Sequence, residues 1–184
     1  MKKRSFIGAC VMLVAIVVAL PLGVHTSLTK LREEAGSSYY YDKTGFAIYQ
    51  GVEEREATAN NLITVAKRYT QTNSALAPLI EELDYAVRLT QNSYNDFAEE
   101  ASANQQMGKA AQALYEELKK TELSESDQKY PDQLIAQMES EQDKINRSSY
   151  NEDAREFNAR LDKFPVKLLL PFAGVQPLGT YDYE

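Results

Sequence analysis

The chain has no tryptophan, one cysteine (Cys10) and one histidine (His25) among its 184 residues. A lone cysteine forms no internal disulfide, and Cys10 with His25 falls short of the ligand set of an ordinary zinc site. One histidine also excludes most imidazole-dependent catalysis. No P-loop, H-E-x-x-H or G-x-S-x-G pattern occurs, and no segment alternates with period two for long enough to build a sheet. Positive charge is short as well: 20 Lys and Arg stand against 27 Asp and Glu, a net charge of -7. Without the first four residues the balance is 17 minus 27, or -10. Such a body is repelled by nucleic acid, which excludes that partner class.

What is present begins with an apolar run. Met1, Lys2, Lys3 and Arg4 precede Phe6 to Val24, whose 19 residues carry no charge and include 16 hydrophobic ones. At 1.5 Å per residue such a helix is about 28 Å long, close to the hydrocarbon thickness of a bilayer. A secretory signal has the same basic and apolar regions, but Leu20 to His25 contains no A-x-A-like cleavage site. Phe6 to Val24 is therefore read as an uncleaved single-pass anchor in a lipid bilayer. The anchor is assigned residues 1–27 and a helical domain residues 28–184. Cys10 lies within the run and reads as a buried thiol rather than a lipidation site. The basic start favours an inner N-terminus and an extracytoplasmic domain at the cell membrane.

The body is patterned for helices. Ile48, Val52, Arg55, Ala59, Leu62, Ala66 and Tyr69 are spaced 4, 3, 4, 3, 4, 3, the stripe of a helix packed in coiled-coil fashion. A second stripe runs through Leu79, Leu83, Ala86, Thr90, Tyr94, Phe97 and Ala101, fades at Asn104 and Gly108, and resumes at Ala111, Leu114 and Leu118. It predicts one helix of about forty residues or two segments broken near Gly108. Residues 121–130 are acidic and serine-rich and read as a loop. A third long helix is expected from Asp132 to Lys163, with Tyr150, Ala154, Phe157, Leu161 and Phe164 on its seam and Pro165 as its stop. The remainder, with Leu168 to Phe172 at its head, reads as a short helical turn and then coil over the bundle. That apolar head either caps the open end of the bundle, the reading preferred here, or forms a docking patch for protein or lipid. The fold class is all-α: an N-terminal transmembrane helix, then an antiparallel four-helix-type bundle with long helices.

Arg147, Tyr150, Asn151, Ala154, Phe157 and Asn158, followed by Phe164-Pro165 and Gly174-Val175, keep the spacing of R-x-x-Y-N-x-x-V-x-x-Y-N, then F-P, then G-F, with Ala154, Phe157 and Val175 in place of its V, second Y and last F. Ile48, Val52, Arg55, Asn61, Leu62 and Lys67 to Tyr69, and upstream Ser27 to Glu33, fit two further segments of the same pattern. In these features the chain resembles the LemA family. It departs at Ala57 to Asn60, where the family has D-L-I-P, and carries about six extra residues within Gly36 to Phe46, so it reads as a divergent member. The resemblance implies a bacterial, membrane-anchored antiparallel bundle of four main helices. It supplies no catalytic residue and no cofactor.

Arg55 interrupts an apolar seam, so a Glu or Asp from a neighbouring helix is expected beside it. The rival reading is a receptor for a small anion or peptide. Asn151 and Asn158 are one heptad apart and read as buried amides fixing register across helices, with Asn61 as a candidate third. Tyr150, Phe157, Phe164 and Pro165 complete the candidate structural or interaction motif. The acid pairs Glu33-Glu34, Glu81-Glu82, Glu99-Glu100 and Glu116-Glu117 lack the Glu-x-x-His partners of a di-metal bundle and read as solvated faces. No catalytic, cofactor or metal site is expected. The expectation is a non-enzymatic envelope protein that acts by interaction with another membrane or envelope protein, its helical stripes also allowing self-association.

Overall fold

The computed structural model describes residues 2–43, 45–94 and 96–183, and for residues 2–11, 13, 14 and 16 the backbone only. Among the described residues there are seven α-helices and no strand: α1 (Lys2–Ser37), α2 (Ile48–Lys67), α3 (Leu76–Asn92), α4 (Phe97–Leu118), α5 (Tyr130–Asn146), α6 (Ser149–Leu161) and α7 (Val166–Ala173). The all-α expectation is met. The backbone of Phe6 to Val24 is helical and runs on through Pro21 into the rest of α1. Much of that run lies outside the side chains described, and among the described residues no helix is long and apolar enough to cross a membrane.

Helices α2 to α5 form the antiparallel four-helix unit. The reversals are pinned by side chains. Asn73, ahead of α3, donates to Glu117 near the end of α4 at 2.8 Å. Beyond α2, Tyr69 donates to Asp127 at 2.7 Å. Tyr115 of α4 reaches Asp132 in the first turn of α5 at 2.9 Å. The remaining elements, α1, α6 and α7, pack together below this unit, α6 and α7 both against α1.

Two of the expected long helices are broken. The second breaks between the end of α3 at Asn92 and the start of α4 at Phe97 rather than at Gly108, which sits inside α4. Asp96 caps the new helix, accepting from the amides of Ala98 and Glu99 at 2.9 and 3.2 Å, and so satisfies donors that an uninterrupted helix would not leave open. The third breaks at Arg147 and Ser148. Ser148 caps α6 through the Tyr150 amide at 3.3 Å. Asp42, from the segment after α1, accepts from Ser148 Oγ, Ser149 N and Ser149 Oγ at 2.6 to 3.0 Å. Helix α6 ends at Leu161. Phe164 therefore leaves the seam and is 85% exposed, and Pro165 stands exposed as the residue before α7.

The apolar core is in two parts. The upper one is built from α2 to α5 around Leu62, Leu76, Leu83, Met107, Leu114 and Met138. The lower one joins Leu28, Tyr39, Ile48, Ile145, Tyr150, Phe157, Leu178 and Tyr181. Each helix that passes between them changes core at a polar residue. On α2, Val52 is below and Ala59 above, with Arg55 between; on α4, Ala101 is below and Met107 above, with Asn104 between; on α5, Ile145 is below and Met138 above, with Gln142 between.

Candidate functional site

Arg55, Asn104 and Gln142, placed at one level by that pattern, form a buried polar layer. Arg55 Nη1 donates to Asn104 Oδ1 at 2.5 Å and to Gln142 Oε1. Asn104 Nδ2 also donates to Gln142 Oε1, at 3.1 Å. Gln142 Nε2 then donates to Asn146 Oδ1 and to the Tyr181 carbonyl, both at 2.7 Å. The chain of bonds thus runs from α2 through α4 and α5 to the C-terminal segment. The Tyr183 ring lies 5.8 Å from the guanidinium carbon, within cation–π range.

The expected acidic partner of Arg55 is not found: among the described residues the buried guanidinium meets amide oxygens and an aromatic face, not a carboxylate. Amides can stand in because each supplies a lone pair without a second charge to desolvate. Burial lowers the Arg55 pKa, with Tyr183 acting in the opposite direction. Two buried atoms, Arg55 Nε and the Tyr183 hydroxyl, have no hydrogen-bond partner among the described residues. Gly108 makes room for both groups, since a Cβ there would lie 2.7 Å from Arg55 Nη2 and 2.9 Å from the Tyr183 oxygen.

Below this layer sits a second buried charge. Glu100 accepts from Tyr39 at 2.7 and 2.8 Å and from Tyr181 at 2.6 Å. Around it the rings of Tyr39, Tyr150 and Tyr181 are 5.6 to 5.9 Å apart, and Phe97 closes the group. Burial raises the Glu100 carboxyl, partly offset by the two phenol donors. Burial first, and then the Glu100 charge, pushes the Tyr39 and Tyr181 hydroxyls above the usual phenol range. Glu100 was expected on a solvated face. Its burial has only one weak trace in the sequence, a position one turn before Asn104 on the stripe.

The two motif asparagines hold main chain rather than each other. Asn158 Oδ1 accepts from the Leu178 amide at 2.9 Å while its Nδ2 donates to the Leu178 carbonyl at 2.7 Å. Asn151 Oδ1 accepts from the Tyr181 amide at 2.8 Å, and its Nδ2 donates to the Ile145 carbonyl at 2.8 Å. Tyr150, fully buried, donates to the Gly179 carbonyl at 3.0 Å. The segment after α7 is therefore an extended peptide threaded into the lower core, with Leu178 and Tyr181 as its apolar anchors. Phe157 is buried beside it. Asn61, by contrast, is exposed on α2 and takes no part. What sequence reading missed here was the partner: an amide side chain matched to main chain 20 to 30 residues away leaves no periodic signal.

These asparagines, with Tyr150 and Phe157, lie within a match to the LemA family model that covers residues 47–184. The chain belongs to the LemA family. The match does not include Tyr39 to Tyr41, so the phenol that reaches Glu100 from that side is contributed from outside the matched region. No curated protein and no solved structure matches the chain. In this LemA chain Tyr150, Asn151 and Asn158 thus serve to bind the C-terminal segment. Among the described residues no cluster of three or more His, Cys, Asp or Glu is placed to hold a metal ion.

Proposed function

We propose that this LemA protein is anchored in the bacterial cell membrane through Phe6 to Val24 and acts outside the membrane by binding another envelope protein. The observation that carries the reading is a tyrosine-rich surface beside the lower core. Tyr41 is 85% exposed and Tyr94 56% exposed, and the partly exposed Tyr40 stacks near Tyr49 with centroids 5.8 Å apart. Tyr41 also lines a groove of about 400 Å³ between α1 and α6, together with Leu31, Ser38, Asp153, Phe157 and Arg160. Exposed tyrosines offer rigid apolar area with a polar tip, the composition favoured at protein interfaces.

Photo-crosslinking from position 41 in intact cells tests this, with exposed Asn61 as the control position. A discrete adduct with an envelope protein from position 41, absent from 61, is expected; no adduct from either would sink the interaction reading. Protease treatment of the same cells, with a tag following the domain, tests the side. Loss of the membrane-bound tag supports an extracytoplasmic bundle, whereas protection reverses the orientation.

A second reading, reception of a small anion at Arg55, draws support from the free Nε and the lack of a carboxylate among the described residues. It requires the Tyr183 segment to lift, so ligand binding would expose that segment to protease. A ligand screen by thermal shift on wild type and Arg55→Met, giving no Arg55-dependent hit, would remove it.

A further inference from the structure

The packing face of α1 starts inside the apolar run. Pro21 and Val24 are half-buried and Leu28 is buried, one helical stripe. Helix α7 covers that stripe. The His25 ring nitrogen Nδ1 lies 2.6 Å from the Ala173 carbonyl, and Val24 of α1 and Val166 and Leu170 of α7 each pack against the lower core. The order of contacts along α1 fixes the level of α7. Ser38 bonds Asp153 of α6, Leu31 lies by Phe157 and Arg160, and His25 meets the end of α7. Helix α6 thus descends along α1, and α7 crosses it where the apolar run ends.

With Val166, Leu170 and Ala173 turned inward, α7 leaves the other face bare. Leu168 and Phe172 are 66% and 74% exposed, and Phe164 just before the helix is 85% exposed. Leu168 and Phe172 are four residues apart within α7, which puts them on one side of it, and Phe164 is exposed at its start. Within a turn and a half of His25, Leu22 and Leu20 on α1 are 62% and 52% exposed, and Val18 and Val17 follow at 55% and 62%. This corner also reverses the charge of the body. Between Phe157 and Ala173 stand Arg160, Lys163 and Lys167 against the single acid Asp162. The expectation that the apolar head caps the bundle is corrected: only one side of it does.

We infer that α7 is a membrane-interface helix, lying on the bilayer beside the point where α1 enters it, with Phe164, Leu168 and Phe172 among the upper acyl chains. This rests on the anchor reading given above. A short apolar face of this kind sits about 5–10 Å into the boundary between headgroups and acyl chains, and cations at its edge attract anionic headgroups. Lipid is the occupant because α1 holds this surface at the level of the headgroups, continuous with its own exposed apolar side chains. The acidic remainder of the domain is then held off the surface, so that α7 sets which side faces the membrane.

The absence of tryptophan makes single-tryptophan reporters direct. The full chain is reconstituted at high lipid dilution into phosphatidylcholine–phosphatidylglycerol vesicles, as Phe172→Trp and separately as Val17→Trp, with acyl chains brominated either near the headgroup or near the bilayer centre. Phe172→Trp is expected to lose most fluorescence with shallow bromines, and Val17→Trp with deeper ones; Phe164→Trp serves as a second α7 reporter. If Val17→Trp is quenched while both α7 reporters stay open to aqueous acrylamide, the interface helix is wrong and the anchor stands. If neither site is quenched, the anchor reading fails and this inference fails with it. If the α7 reporters are shielded from acrylamide yet insensitive to bromine, protein covers that face, a second copy or another chain, and the inference is overturned.

Discussion

Asn158 holds Leu178 by both of its main-chain polar groups, accepting from the amide at 2.9 Å and donating to the carbonyl at 2.7 Å. Only a carboxamide supplies an acceptor and a donor in that arrangement. Asn158→Ala is expected to cost about 1–3 kcal/mol, the usual cost of leaving partly buried groups unpaired. Asn158→Asp keeps the acceptor but sets a second oxygen against the Leu178 carbonyl, so it should cost as much at neutral pH and less in acid. Urea denaturation at two pH values checks both, and amide exchange at Leu178 and Tyr181 should accelerate in each variant.

Gly179 passes so close to the start of α4 that a Cβ would lie 2.4 Å from the Phe97 carbonyl oxygen and 2.6 Å from the Ala98 Cα. Both neighbours are backbone and cannot swing aside. Gly179→Ala is expected to lift the C-terminal segment and destabilise the domain by about 1–3 kcal/mol, the range for overpacking. Limited proteolysis should then cut within residues 175–183 while α2 to α5 stay intact.

The Glu100 carboxyl is raised in the folded protein, chiefly by burial. The folded state therefore binds its proton more tightly than the unfolded chain does. Stability falls as pH rises from the ordinary carboxyl value to the raised one, and the loss is complete above it. Glu100→Gln keeps an oxygen for the phenols and removes the charge. It is expected to flatten this fall and to be at least as stable as wild type near neutrality, read from urea midpoints over roughly pH 4 to 8.

Arg55 and Asn104 are coupled through one bond and share Gln142. Arg55→Met and Asn104→Ala should each destabilise, by about 1–3 kcal/mol, because each strands a buried polar partner. The double variant should lose less than the sum, with a coupling of about 0.5–3 kcal/mol. Additive losses in a double-mutant cycle would mean that the polar layer does not act as a unit.

Helix α2 was legible from its stripe because no capping residue or turn interrupts Ile48 to Lys67. The hairpin between α3 and α4 was hidden by a coincidence of phase. Thr90, Tyr94, Phe97 and Ala101 keep helical spacing across the turn, although Tyr94 is exposed in it, and the local sign of a break was the polar cluster of Asn92, Ser93, Asn95 and Asp96. Phe164 misled in the same way, three residues after Leu161 but past the end of α6. Arg55 was rightly marked as buried, but the identity of its partners was not readable. Asn104 and Gln142 are ordinary polar residues until two other helices bring them to its level. The amide clamps were visible as residues and invisible as clamps, because what they bind is backbone, and backbone has no sequence.

The threaded segment also has a consequence for how the molecule is made. Translation reaches residues 175–183 only after α1 to α7 have been synthesised, yet Leu178 and Tyr181 are part of the lower core and Gln142 waits for the Tyr181 carbonyl. The α2 to α5 unit has its own apolar core and can close while the ribosome is still working. The lower half, next to α1, cannot. Its last buried anchors come only after α7, so a chain stalled before Val175 would hold a closed upper bundle above an open, aromatic-lined cleft.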